Sequence, residues 1–361
     1  MMVRRRSNAL IINITVFLLL LGLILYINTS ASESTKVLAW HQVKYQSRSR
    51  HVPAAHGQCP GLADSGKPAL VVAIVEADGD SKWLEPLSER YHQCIYQIDT
   101  VKNAASEHLS VPANRGHEAM AYLTFLIDNY ENIPVEGAVF VHGARFQWHN
   151  DHPYYDNEAL LNKLNVSSAL GTTGYHNLRC DWAASTCEKS PAQGSLETRM
   201  RSVLEPYNAR VVSDMLLPAV LAQIFGGAQA ESNAQVQLGR SDPLRAQCCA
   251  QFIVSRDRVW EHSKDEYTAL RQWLLDDAAP QDDQVAGRIL SYLWHILFLP
   301  KENGGVRLRD LNNMACPSAS ECYCRLYGRC DLQSCTPGRC PHQYRVPPNF
   351  RLPEGWAERH S

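Results

Sequence analysis

NRGHEAMAYLTFLIDNYENIPVEGAVFVHGARFQWHNDH, residues 114–152, places a helix start, a helix, a strand and a polar cluster within 39 residues. Ala119, Tyr122, Leu123, Leu126, Ile127 and Tyr130 fall at helical spacing, so one face of a helix is apolar and should lie in the core. Ahead of it Asn114 is placed to cap. Gly116 lets the backbone come close to a ligand, so unpaired N–H groups could receive an anion there. Arg115 and Glu118 would share in binding. Beyond Ile133-Pro134 the run Gly137–Val141 reads as a short buried strand, and the carboxyl ends of such strands are where open α/β sheets hold ligands. His142, Arg145, Trp148, His149, Asp151 and His152 follow immediately.

Working outward, Ala69–Val75 is a continuous apolar run suited to a fully buried strand, with Glu76, Asp78, Asp80 and Trp83 at its carboxyl end. The pair Asp78 and Asp80 has a spacing that could hold a divalent cation through oxygen ligands, although acidic residues around a glycine are also ordinary turn formers. Tyr91–Ile98 is a second strand. Strand, helix and strand in this rhythm imply an α/β fold with a mostly parallel central sheet flanked by helices. Further along, Asp156–Leu164, Met215–Phe225, Lys264–Leu275 and Val285–Leu299 are predicted helices, the last apolar nearly all round. Gly174–Leu178 and Cys248–Val254 are predicted strands.

The 361 residues, 45% hydrophobic and 20% charged, suffice for one large core or two modest ones. A net charge of -2 and no basic run outside the first residues exclude a nucleic-acid partner. Arg4, Arg5 and Arg6 precede an apolar run from Ala9 to Ile27, interrupted only by Asn13, Thr15 and Gly22. That length crosses a bilayer, and the arginines keep the N-terminus cytosolic, so a type II single-pass anchor in the secretory pathway is expected. The division follows: 1–8 a cytosolic tail, 9–27 the anchor, 28–67 a stem, 68–315 a luminal α/β domain, 316–340 a Cys-rich extension and 341–361 a Pro-rich tail. A cleaved leader is the competing reading.

Twelve cysteines in an oxidising compartment imply disulfides. Cys180 and Cys187 are close enough to close a local loop, whereas the adjacent Cys248 and Cys249 are expected to pair elsewhere. Cys316, Cys322, Cys324 and Cys330 lack zinc-site spacing and read as a disulfide knot. Asn28 and Asn165 stand in glycosylation sequons.

Two sets of residues carry a family resemblance. One is Asn114-Arg115-Gly116-His117-Glu118 with Tyr122-Leu123, Val139–Gly143, Trp148–Asn150, Tyr175 and Asn177–Cys180. The other is Cys248–Phe252, Gly287-Arg288, Tyr292–His295 and Cys322–Cys324. Together they resemble a largely fungal family of single-pass proteins known only as a domain of unknown function, over about Leu70 to Cys330. The layout is remotely similar to glycosyltransferases with a single nucleotide-binding α/β domain, a GT-A-like arrangement. This implies a nucleotide sugar as donor, a diphosphate received by the Asn114–Glu118 helix start with Arg179 or Arg288, and His142, Arg145 and His149 as catalytic residues. Manganese or magnesium on Asp78, Asp80 or Asp151 would neutralise the leaving group. His295, on its apolar helix, would contact substrate or serve the core. The family pattern implies an acidic residue before Tyr292, where this chain has Ser291.

Two other readings stay open. One is a membrane-tethered tailoring enzyme of secondary metabolism with a redox metal on His142, His149 and His152. The other is a non-catalytic luminal binding or scaffold protein. No Gly-x-Ser-x-Gly, P-loop, Rossmann fingerprint or His-Glu-x-x-His occurs, so the hydrolases, kinases, dehydrogenases and zinc proteases defined by those motifs lack their markers.

Overall fold

In the computed structural model, residues 2–29, 36–47, 49, 52–54, 57–99, 108–171, 173–188, 190–301 and 305–341 are described. The predicted Pro-rich tail beyond residue 341 lies outside them. Helix α1 (Met2–Thr29) carries the apolar run, and its side chains from Ile11 to Ile24 stand largely exposed. Strand β1 (Val37–Leu38) opens the folded domain, and the sheet then builds from β2 (Ala69–Ile74), β3 (His92–Gln97) and β4 (Leu109–Ser110). After α2 (Glu118–Asp128) come β5 (Ala138–His142), α3 (Asn157–Lys163), α4 (Val166–Leu170) and β6 (Tyr175–Asn177). Two helices, α5 (Leu196–Leu204) and α6 (Ala209–Gly226), precede β7 (Phe252–Val254). The chain ends through α7 (Arg256–Trp260), α8 (Lys264–Leu275), α9 (Asp283–Ser291), α10 (Leu293–Phe298), β8 (Val306–Arg307), α11 (Leu308–Ala315) and α12 (Ala319–Tyr327).

The six-stranded sheet has the order β4-β3-β2-β5-β7-β6; β7 runs antiparallel to both neighbours and the other pairings are parallel. The register sets Ala73 opposite His142 and Phe140 opposite Phe252. All six residues of β2 are buried, because helices cover both faces of the sheet. Val71, Ala73, Phe140 and Phe252 point to the side of α2, α6, α8, α9 and α10. Leu70, Val72, Val139 and Ile253 point to the side of α3, α4 and α12. Phe140 stacks on Phe252 at 4.7 Å, with the Tyr122 ring edge-on at 5.0 Å.

Several expectations are revised. Helix α2 is buried on every side from Ala119 to Asp128, not on one face, and Tyr130 falls in a short 3-10 turn beyond it. The predicted helix over 285–299 is two helices divided at Tyr292. The stem gives way to folded protein from Lys36: Trp40 is wholly buried, donates to Val236 O at 2.9 Å and stacks on Phe225. Tyr45 donates to Asp276 at 2.8 Å, and Cys59 pairs with Cys94.

The Cys-rich segment is part of the body. Cys316 pairs with Cys187 and Cys322 with Cys180, so the local Cys180–Cys187 loop is not formed, while Cys324–Cys330 and Cys335–Cys340 close small loops of their own. Cys248 pairs with its neighbour Cys249, against expectation. A turn accommodates this: Cys249 and Ala250 have φ of 95° and 49°, outside strand geometry, so β7 begins only at Phe252.

Residues Ala209–Gln229 are long and apolar enough to cross a membrane, but half of that window is buried and α6 packs on α5 and α9 as a core helix.

Candidate functional site

From β2 the chain steps outward to β3 and β4, then returns to place β5 on the other side of β2. This reversal makes the carboxyl ends of β2 and β5 a topological switch point, the position where open α/β sheets bind ligands. Because β6 runs parallel to β5 and β7 runs opposite, the end of β6 and the beginning of β7 meet the same edge. Asp78 after β2, His142 at the end of β5, Arg179 after β6 and Cys248–Gln251 before β7 therefore converge.

His142 Nε2 lies 2.8 Å from Cys249 O. A carbonyl only accepts, so Nε2 carries a proton, and Nδ1 has no hydrogen-bond partner among the described residues. The His142 backbone N–H donates to Gln251 Oε1 at 3.4 Å. Its ring stacks on His149 at 4.5 Å, and His149 meets Trp148 at 4.2 Å. His149 Nδ1 is 3.1 Å from Gln147 Oε1, so its proton sits there and Nε2 is the free nitrogen. Burial, helped by His142 and the Arg179 guanidinium, pushes the His149 pKa down to about 2, so the ring is neutral. Trp148, a natural choice to close the core, is instead 47% exposed and lies against His149 and Arg179.

Asp78 accepts the Val75 N–H at 2.9 Å, and burial holds its carboxyl above the usual range against that bond and His142. Gly143 passes so close that a Cβ there would stand 2.6 Å from Asp78 Oδ2 and 2.5 Å from Ile74, so only glycine fits. Trp83 Nε1 donates to Gly143 O at 3.0 Å and fixes that loop. Arg179 donates to Trp148 O at 2.8 Å and reaches Cys249 Sγ at 3.9 Å. Behind it, buried Asp151 lies 3.4 Å from Arg179 Nε and accepts the Cys180 and Asp181 N–H groups at 2.5 and 3.0 Å. Burial outweighs these contacts and pushes the Asp151 pKa up to about 6.

The remaining sequence candidates lie apart. Asp80 is exposed, paired with Lys82 at 3.2 Å, and the Lys82 N–H lowers its pKa. Arg145 forks onto Asp156 at 3.2 and 3.1 Å and reaches Glu158 at 3.0 Å. Asn114 is exposed and does not cap α2, whose first turn follows His117 with no side-chain cap. The anion expected there is the protein's own: Asp283 takes the Gly116 N–H at 2.5 Å and pairs with Arg115 at 3.0 Å. Glu118 sits in the first turn of α2 with no partner among the described residues. Arg288 lies over the Tyr292 ring, donating to its hydroxyl at 3.4 Å, and Tyr292 in turn donates to Asp214. Ser291 donates to Arg288 O. His295 is buried in the core with Nε2 lacking a partner, its pKa pushed down to about 3.

Asp78, Asp80 and Asp151 do not make one metal centre: Asp80 points to solvent and the Asp151 oxygens face Arg179 and two amides. Among the described residues the one group of three metal-type donor atoms within 4.8 Å is Cys59, His92 and Cys94, whose sulfurs are already joined to each other. His152 Nδ1 faces the N–H groups of Tyr154 and Asp156 at 3.4 Å each, so it does not complete a trio with His142 and His149. Asn165 is exposed and caps α4; Asn28 lies in the last turn of α1, its side chain outside the described residues.

Sequence reasoning quoted Gly143, Gln251 and the adjacent Cys248 and Cys249 but gave none of them a place beside His142. A glycine directly after a buried strand was the available signal for the first; the others are brought there by the antiparallel β7.

No curated protein and no solved structure matches the chain. The family described as protein of unknown function DUF3431 matches residues 70–325, from β2 into α12, and the chain belongs to that family.

Proposed function

We propose that the cluster at the carboxyl ends of β2 and β5 is the active site of a membrane-anchored luminal enzyme that transfers a glycosyl group from a nucleotide sugar. The observation that carries this reading is the meeting, at the point where strand order reverses, of a histidine with an uncommitted Nδ1, a desolvated carboxylate, an arginine and a half-exposed tryptophan. Trp148 offers a ring on which a base or a sugar stacks. His142 Nδ1 takes the acceptor hydroxyl proton as the acceptor oxygen bonds to the anomeric carbon and the bond to the diphosphate breaks. Arg179 faces the departing phosphate. Asp78, Asp80 and Asp151 do not fit a shared manganese or magnesium ion, so the transfer runs on the chain's own side chains.

The anchor is α1, with Arg4 to Arg6 holding the N-terminus in the cytosol and the body in the lumen. Six disulfides suit that oxidising compartment, as do sequons at Asn28 and Asn165. Calorimetric titration of the purified full chain against a panel of nucleotide sugars, with and without manganese, tests the reading. One donor should bind; Trp148→Ala should weaken it by at least tenfold, and His142→Ala should abolish turnover while keeping binding. No heat from any donor refutes the reading, and heat without turnover makes the cluster a binding site.

A further inference from the structure

Helix α5 is amphipathic the wrong way round. It turns Thr198 and Ser202 inward, while Leu196, Met200, Val203 and Leu204, at i, i+4, i+7 and i+8, face outward, and Tyr207 stands exposed in the turn just beyond its end. Their exposure runs from 56% at Leu196 through 78% at Val203 to complete at Tyr207. A contiguous apolar stripe on an otherwise ordinary surface marks a contact with something apolar.

The place where the chain emerges from its anchor says what that is. Seven peptide steps separate Thr29, at the end of α1, from Lys36, and seven steps span at most about 25 Å. Lys36 Nζ donates to Gln237 O at 2.6 Å and pairs with Asp242 at 3.5 Å. The Asp242 carboxylate holds the Gly239 N–H at 2.9 Å, and a Cβ on Gly194 would stand 3.1 Å from Gly239 O. Gly194 precedes Ser195, the cap of α5. The tether and the start of the apolar stripe are thus joined by consecutive contacts. Val37, beside the tether, is exposed as well. Arg199 and Arg240 are exposed next to Leu196, sharing a cavity of about 330 Å³ with it, and have no carboxylate partner among the described residues.

We infer that the outer face of α5 lies in the bilayer interface, with Leu196, Met200, Val203, Leu204 and Tyr207 among the acyl chains and Arg199 and Arg240 on lipid phosphates. The inference rests on the reading of α1 as the anchor. It adds that the body is held flat on the membrane at two points, not suspended on a stem.

The test uses the full chain, with methionine replaced by its photoreactive diazirine analogue, reconstituted into phosphatidylcholine vesicles, washed with carbonate, irradiated and digested. Lipid adducts on the Met200 peptide should exceed those on the buried Met120 peptide at least tenfold, and the double variant Val203→Asp, Leu204→Asp should bring them to the Met120 level. A chain retained by the vesicles in which Met200 is unlabelled, or is joined to a second copy of the chain, overturns the inference and leaves the anchor standing. A chain released by the wash overturns the anchor and the tether argument with it.

Discussion

Acidification from pH 7.5 to 5 should destabilise the folded domain by about 4–5 kcal/mol, because three imidazoles are held neutral in places that unfolding opens to water. Burial pushes His149 to about 2, His176 to about 4 and His295 to about 3. A base whose folded pKa is depressed takes up its proton only on unfolding. Its contribution is therefore complete above the unfolded value near 6.5 and is lost as pH falls below it, at about 1.4 kcal/mol per unit per group. At pH 5 this comes to about 2 kcal/mol for each histidine and about 6 for the three. Asp151 works the other way. Raised to about 6, it binds its proton in the folded state first and returns about 1–2 kcal/mol over the same window. The net loss should lower the melting midpoint by roughly 10 °C. The assay is thermal unfolding between pH 5 and 8 with disulfides intact, alongside His295→Leu, whose core position accepts an apolar side chain and which should remove about a third of the proton uptake. A midpoint that stays flat or rises between pH 6.5 and 5, or a His295→Leu slope equal to the parent's, refutes the reasoning.

Four further outcomes are expected. Asp151→Ala removes the counter-charge of buried Arg179 and the acceptor of two amides; denaturant titration should show a loss of about 3–5 kcal/mol. Gly143→Ala should cost about 1–3 kcal/mol in the same assay and, by pushing Asp78 aside, remove donor turnover from a protein that still folds. Replacing Cys248 and Cys249 by Ala frees the Cys249 carbonyl that orients His142, so turnover should fall with little change in midpoint, since a bond between neighbours closes no loop. Replacing Cys180 and Cys322 should instead cost about 3 kcal/mol by chain entropy, because Cys187–Cys316 already closes most of the 142-residue span and leaves a loop of about 15 residues. Equal midpoint losses from the two pairs would contradict this contrast.

The amino-acid order alone determined those elements whose signal is local. The unbroken apolar run at Ala69–Ile74 made a strand buried on both faces, and Asp156 before Asn157–Lys163 made a capped helix. That Asp78 and His142 meet at one edge of the sheet was legible because each stands at the carboxyl end of a buried strand, and such ends share an edge in a parallel sheet. What only the tertiary structure decided involves partners far apart in number. Asp283, 167 residues beyond Gly116, fills the helix start that looked ready for a phosphate. Asp156 holds Arg145 away from His142, Asp151 turns from an expected cation ligand into a buried support for Arg179, and Cys180 reaches past Cys187 to Cys322. Hydrophobic period and capping act within a few residues and can be read along the chain. Charges and thiols satisfy one another through space, so their roles follow from which elements the core brings together.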